Sequence, residues 1–333
     1  MKTNTDPKQQ KDFSSGRDEM NLAEFPFAKL NAKDSREIIE YEGWTVNGSQ
    51  RLPQKWIVRG ASGLGLPSEF GERLLMALIA LTAEDDFASR KVTFSVGELI
   101  RRLDLAKNQR YYELIEQQLD RLMGVTIHSE NAFWDHAKQK RVTTKRAFHL
   151  IEKLWLRFRE GETEGGNAEN VRGYIIWSDE IWRSFKAGYI KSLDLAFFYG
   201  LPTPISRRLY RFLDKRMRYQ EVYEIDIFDL ANRLGCVRYK APSQIKRILE
   251  PAYEALIEHG FLAEAKLVKR GKYTRLRFVK RIELDPQAEA KGLEAESQAT
   301  TSTAAARHDE AAIEADGASE NAQKWLEVLE QLR

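Results

Sequence analysis

Apolar residues recur along this chain with two periods, and the points where the period changes mark out its elements. Between 68 and 86, Phe70, Leu74, Ala77, Leu78 and Leu81 fall on one helical face, Ser68 can cap the first turn, and Pro67 stops an earlier start. Residues 92–105 predict a short strand and then a short helix from about Ser95, with Leu99 and Leu103 on one side. Residues 108–123 predict a longer helix with the stripe Tyr111, Leu114, Ile115, Leu119 and Leu122, and Gly124 is placed to end it. Two strand-like stretches follow, 125–134 and 143–158, joined by a basic connection. A Gly/Glu-rich stretch at 159–170 reads as an exposed loop, 171–178 as a returning strand, 179–186 as a short helix, and 187–202 as an aromatic bridge.

The second half repeats the order. A helix over 203–218 leads to a strand stub at 223–225, a helix over 226–234 capped by Asp226, and a longer helix over 243–259. That last helix carries Ile245, Ile248, Leu249, Tyr253, Leu256 and Ile257, and Pro251 inside it removes one hydrogen bond, which predicts a kink. Strands at 262–268 and 273–279 close on a tip of Lys269, Arg270 and Lys272. Leu99 and Leu103 match Leu230 and Leu234, and Gly124 stands opposite Gly260, so one supersecondary unit occurs twice. The expected fold is α+β: two tandem winged-helix domains with a pseudo-two-fold relation. The expected boundaries are a disordered N-terminus at 1–18, a first domain at 19–186, a second at 187–282, and an acidic linker with a short C-terminal helix at 283–333. That terminal helix reads either as a docking peptide or as a frayed end.

Charge sharpens the second half. Residues 201–281 hold 19 Lys/Arg against 9 Asp/Glu, whereas 282–333 hold 4 against 12, so a basic body is followed by an acidic tail. A basic body with interleaved aromatics favours nucleic acid as partner. In a winged helix the start of the second long helix enters the major groove. The residues there are Arg238, Tyr239, Lys240, Ser243, Gln244, Lys246 and Arg247, whose side chains suit guanine and adenine edges. Lys269, Arg270 and Lys272 at the ribbon tip suit phosphates. First-half counterparts are Lys107, Asn108, Gln109 and Arg110 on the helix, with Lys140 and Arg141 in the basic connection read as its wing, beside Lys138, Lys145 and Arg146. Arg207, Arg208 and Arg211 open the 203–218 helix, where they hold phosphates or pair with acids; the sequence leaves both open.

Catalytic signatures are missing. No phosphate-binding G-x-x-x-x-G-K-[ST] occurs, and His128, His136, His149, His259 and His308 include no pair two to five residues apart. The single cysteine, Cys236, excludes a cysteine zinc cluster and an internal disulfide. No catalytic residue, metal or cofactor is therefore expected, and the chain is expected to bind without being an enzyme. No run reaches the length of a membrane span, and the N-terminus has no apolar core, so a cytoplasmic bacterial protein is expected.

Three segments resemble plasmid replication initiators, most closely the replication initiator protein A family: DEMNLAEFPFAKL at 18–30, GYIIWSDEIWRSFKAGYIKSLDLAFFYGL at 173–201, and SRRLYRFLDKRM at 206–217. The resemblance covers roughly 18–281. It implies monomers bound to direct repeats of double-stranded origin DNA, opening of adjacent AT-rich DNA, and recruitment of the host replicative helicase and initiator proteins. It also implies a homodimer, with the first domain as the dimer contact, that represses the initiator's own gene. A winged-helix transcription regulator without initiator activity is the competing reading, and a footprint on a single operator would favour it.

Overall fold

A computed structural model describes residues 13–31, 33–47, 50–138, 140–141, 145–157, 172–236 and 239–281. The chain is mixed α and β. It opens with strand β1 (Ser15–Glu19) and the one-turn helix α1 (Met20–Glu24), followed by the hairpin β2 (Ile38–Asn47) and β3 (Gln50–Arg59). Helix α2 (Glu69–Glu84) leads to β4 (Lys91–Ser95), α3 (Val96–Arg102) and α4 (Gln109–Gly124). After α4 come β5 (Thr126–Glu130), the short pair β6 (Trp134–Asp135) and β7 (Lys140–Arg141), β8 (Lys145–His149) and β9 (Ile151–Arg157). Then follow β10 (Arg172–Trp177), α5 (Asp179–Lys186), β11 (Ile190–Asp194), α6 (Leu195–Gly200) and α7 (Pro204–Arg216). The remainder is β12 (Val222–Asp226), α8 (Ile227–Arg233), α9 (Pro242–Glu258), β13 (Leu262–Arg270) and β14 (Tyr273–Lys280).

The helix starts follow from side-chain chemistry. Ser68, Ser95, Asn108 and Asp226 each accept a backbone N–H in the first turn of α2, α3, α4 and α8. The two glycines read as equivalent behave differently. Gly260 sits at φ +84 just after α9, where a side chain would be strained, but α4 runs through Gly124 to a cap at Val125. Gly124 is needed for space, because a Cβ there would stand 2.8 Å from Ala61 Cβ.

In the first half β4, β10 and β9 form a sheet in the order β4-β10-β9, and in the second half the order is β12-β14-β13. Each sheet thus begins with the strand before a helix pair and places the last strand in the middle. A four-stranded sheet, β2-β3-β5-β8, is added to the first half. The stretch read as one strand over 143–158 breaks at the buried Leu150, so that β8 and β9 belong to different sheets. The basic connection read as the first wing therefore joins two strands that pair, β5 and β8, while the stretch beyond Leu150 pairs elsewhere as β9. β5 and β8 pair antiparallel from Thr126↔His149 to Glu130↔Lys145, and Lys140 and Arg141 lie in the two-residue ladder β6–β7 within the connection between them. The side chains of Lys140 and Arg141 fall outside the described residues, as do the acidic linker and the C-terminal helix.

The N-terminus expected to be disordered through residue 18 is ordered from β1 onward. β1 pairs antiparallel with β11, matching Ser15 to Asp194 and Glu19 to Ile190. Asp18 is fully buried because two cations neutralise it: Arg211, with bonds of 2.7 and 2.9 Å, and Lys191 at 3.7 Å. Polar composition suggested mobility, but distant partners make this polar strand buriable. One continuous core runs from Leu22 to Phe278 through both halves.

Candidate nucleic-acid interface

Helix α9 buries Ile245, Leu249, Ala252, Tyr253, Ala255 and Leu256 and turns Ser243, Gln244 and Arg247 outward. Its outer stripe is graded, with Lys240 and Arg247 at the start and Glu254 and Glu258 exposed near the end. Pro242 opens the first turn without an N–H of its own, no side chain caps it, and Gln244 N donates to Ala241 O at 3.1 Å, which leaves the Ser243 N–H for a phosphate. Lys240 and Arg247 have no carboxylate partner among the described residues. Lys246 is half-buried and pairs with Glu250 at 3.2 Å, one turn along. Tyr239 is half-buried and packs against the core. Arg238 falls outside the described residues.

The ribbon β13–β14 pairs from Leu262↔Lys280 to Arg270↔Tyr273, with Gly271 at φ +58 making the turn. Its stem cations are engaged: Arg275 and Arg270 pair with Glu224 at 2.9 and 3.4 Å, and Lys266 and Arg277 pair with Glu264 at 2.7 and 3.5 Å. Lys269 and Lys272 at the tip are exposed and without a carboxylate partner among the described residues. In the first half, Lys107 and Arg110 are exposed beside the start of α4. Asn108 is committed to its cap, accepting from Tyr111 N at 3.1 Å, and Gln109 donates to Glu113 at 3.1 Å.

Arg207 and Arg208 are a correction. Both turn inward, as does Arg211, so none is available to a phosphate. Every residue of α7 from Ser206 to Leu213 is buried. Arg207 donates to Glu69 at 2.6 Å and to Leu201 O at 2.8 Å. Arg208 donates to Glu72 at 2.6 and 3.1 Å and to the carbonyls of Ala28 and Leu234 at 2.8 and 2.9 Å. Arg211 bridges Asp18 and Glu72, the latter at 2.5 Å. Burial pushes the Glu72 carboxyl up, but the guanidinium groups of Arg208 and Arg211 outweigh it and hold the group below its ordinary value.

A second cluster is centred on Glu24, 4% exposed, which pairs with Lys215 at 3.0 Å and with Arg216 and Arg233. Burial alone would raise its pKa; the three cations, Arg216 foremost, hold it well below the ordinary range. These clusters join α1, α2, α7 and α8. Sequence reading missed them because no local pattern announces partners more than 100 residues away. The turn that ends α8 is fixed from the same region. Arg208 holds Leu234 O, while Arg36 donates to Gly235 O at 2.9 Å and to Cys236 O at 3.4 Å. Gly235, at φ +68, makes that turn, and a Cβ there would meet Pro26 at 2.8 Å. Arg208 thus holds the C-terminal end of α8.

Among the described residues no cluster of His, Cys, Asp or Glu could hold a metal ion, and no helix is long and apolar enough to cross a membrane. A family model of Replication initiator protein A matches residues 17–254, from β1 into α9. The chain belongs to that family. The family's match stops before the ribbon β13–β14. In fold, this initiator-family chain is similar to a crystal structure of domains 2 and 3 of RctB, with a TM-score of 0.52 and 13% identity over 79% of this chain and 99% of that one. A second crystal structure of RctB domains 2–3 gives a TM-score of 0.46 and 11% identity, covering 78% and 96% of the two chains. No curated protein sequence matches the chain.

Proposed function

We propose that this chain is a plasmid replication initiator that binds repeats of double-stranded origin DNA through two tandem winged helices. The observation that carries the reading is the start of α9: an uncapped helix end flanked by exposed Lys240, Gln244 and Arg247, followed by a ribbon tipped by Lys269 and Lys272. The matching strand orders β4-β10-β9 and β12-β14-β13 support a repeat of the unit. In this reading 19–186 and 187–282 are the two domains, although β1 pairs across that boundary with β11. Gln244 and Arg247 read base edges, each good bidentate pair contributing about 1–3 kcal/mol of discrimination. Lys240, Lys269 and Lys272 hold phosphates. Tandem readers span successive major grooves about 34 Å apart, and tethering raises the effective concentration of the second for its half-site.

Binding at the repeats leads to opening of neighbouring AT-rich DNA and to recruitment of the host helicase and initiator proteins. A homodimer of the same chain represses its own gene. The chain acts in the bacterial cytoplasm as a binder with no enzymatic step. Footprinting on the DNA beside its gene tests this: protection is expected over tandem repeats next to an AT-rich stretch. Protection of one isolated operator, with no repeats, would replace the initiator by a transcription regulator.

A further inference from the structure

The outward face of the sheet β4-β10-β9 has a chemistry that its packing does not explain. Val92, Phe94, Ile175 and Trp177 point into the core. The alternate positions point out, and they form three cross-strand rows. At one end Ile176 lies between Lys91 and Lys153. In the middle Tyr174 lies between Thr93 and Trp155, and at the other end Arg172 faces Arg157. Four cations and two aromatic rings therefore share this face, and none of its row positions carries a carboxylate. Trp155 is 42% exposed, the single exposed tryptophan among the described residues. Its ring runs near-parallel to Tyr174, with centroids 5.5 Å apart and planes at 20°, and Lys91 Nζ sits 4.1 Å from the Tyr174 centroid.

Folding alone gives no reason for this arrangement. Like charges directly opposite on a sheet are destabilising, and an exposed tryptophan gains little from the core. Both features suit a polyanion that also carries aromatic faces. We infer that this face is a stacking platform for single-stranded DNA, the product of the origin opening proposed above. A base stacks on the open side of Trp155, and phosphates lie against the Lys91–Lys153 and Arg157–Arg172 rows. Those rows are four residues apart along the strand, about 13 Å, which leaves room for bases between them. Duplex DNA keeps its base faces inside the stack and cannot use Trp155 in this way. The platform is separate from α9 and the ribbon tip, so the two activities can be measured apart.

The test is fluorescence anisotropy of the full chain with fluorescein-labelled dT20, alongside a labelled random-sequence duplex. Trp155→Ala should weaken dT20 binding at least about fivefold, the low end for one stacked base, while duplex affinity stays within about twofold. Trp155→Phe should retain most of the binding. The double variant Arg157→Ala/Arg172→Ala should make the salt slope for dT20 less negative by about 1.4, at about 0.7 per phosphate on a single strand. Melting temperatures identify any variant that fails to fold, in which case Trp155→Phe and the arginine pair decide the matter. The inference is overturned if wild type does not bind dT20, or if folded Trp155→Ala binds it as wild type does. It is also overturned if dT20 and duplex affinities fall together. Dissociation of a dimer by Trp155→Ala in sedimentation, with dT20 binding intact, would make the face a self-association surface instead. Loss of duplex reading in α9 variants would leave dT20 binding unchanged, so the two readings fail separately.

Discussion

Replacing Glu72 with Gln removes one charge from the centre of the buried junction and almost no volume. Glu72 is 3% exposed and accepts from Arg208 at 2.6 and 3.1 Å and from Arg211 at 2.5 Å. Gln keeps one acceptor oxygen but turns an NH2 group against a guanidinium. Arg208 would retain its two carbonyls and Arg211 its two bonds to Asp18. Lys191 and Arg211 would still share Asp18, with Asp214 beside Lys191, but Arg208 would lose its carboxylate partner. Breaking a buried pair from one side costs about 3–5 kcal/mol. The retained bonds place this case near the low end, about 3 kcal/mol, a large part of a typical total of about 5–15 kcal/mol. In urea, with an m value of about 2–3 kcal/mol/M, the midpoint should fall by about 1 M or more at unchanged m. Far-ultraviolet circular dichroism and tryptophan fluorescence should report the same transition, because the junction links both halves. A midpoint shift below about 0.3 M would refute the reasoning and mean that water screens the cluster.

Three further outcomes are expected. Glu24 titrates well below the ordinary carboxylate range, so as pH falls the unfolded chain takes up its proton near about pH 4.3 while the folded chain does not. The stability Glu24 contributes is therefore complete above that pH and is lost as pH falls towards its folded value; urea midpoints from pH 7 to 3 should decline less steeply in Glu24→Gln, which is already destabilised at pH 7. Lys269→Ala/Lys272→Ala should make the slope of log K against log salt for duplex DNA less negative by about 1.8, at about 0.9 per phosphate, with origin and random DNA affected alike; an unchanged slope would take the ribbon tip off the backbone. Asn108→Ala should cost about 1 kcal/mol of stability through its lost cap, measured by thermal melting, and less than Arg110→Ala in DNA affinity.

Much of the second half was legible because its signals are local. The cap at Asp226, the apolar stripe of α9 and the Lys269–Lys272 tip placed β12, α8, α9, β13 and β14 within a residue or two of their observed limits. In the first half the same rules found α2, α3 and α4 and the strands β5 and β8 on either side of the basic connection, but ran β8 and β9 together as one strand. β9 leaves β8 to pair with β10 in another sheet, because strand pairing is set by tertiary partners rather than by sequence neighbours. The arginines of α7 show the same limit. Charge on a helix ordinarily marks a solvated face, whereas Arg207, Arg208 and Arg211 are buried by Glu69, Glu72 and Asp18. β1 was lost for the complementary reason, since Asp18 and Glu19 look soluble until Arg211, Lys191 and Ser184 are placed beside them. Of the candidate contact residues, Lys240, Ser243, Gln244 and Arg247 at the start of α9 and Lys269, Arg270 and Lys272 at the ribbon tip are at the surface. Arg208 moved from contact to support.

Plasmid maintenance puts the central claim to its most direct trial. An otherwise non-replicating plasmid carrying this gene and its adjoining DNA should be maintained in a bacterial host. The same plasmid encoding Gln244→Ala/Arg247→Ala, with protein level and melting temperature unchanged, should be lost. Failure of the wild-type gene to sustain the plasmid, or full maintenance by the double variant, would contradict an initiator that reads its origin through the start of α9.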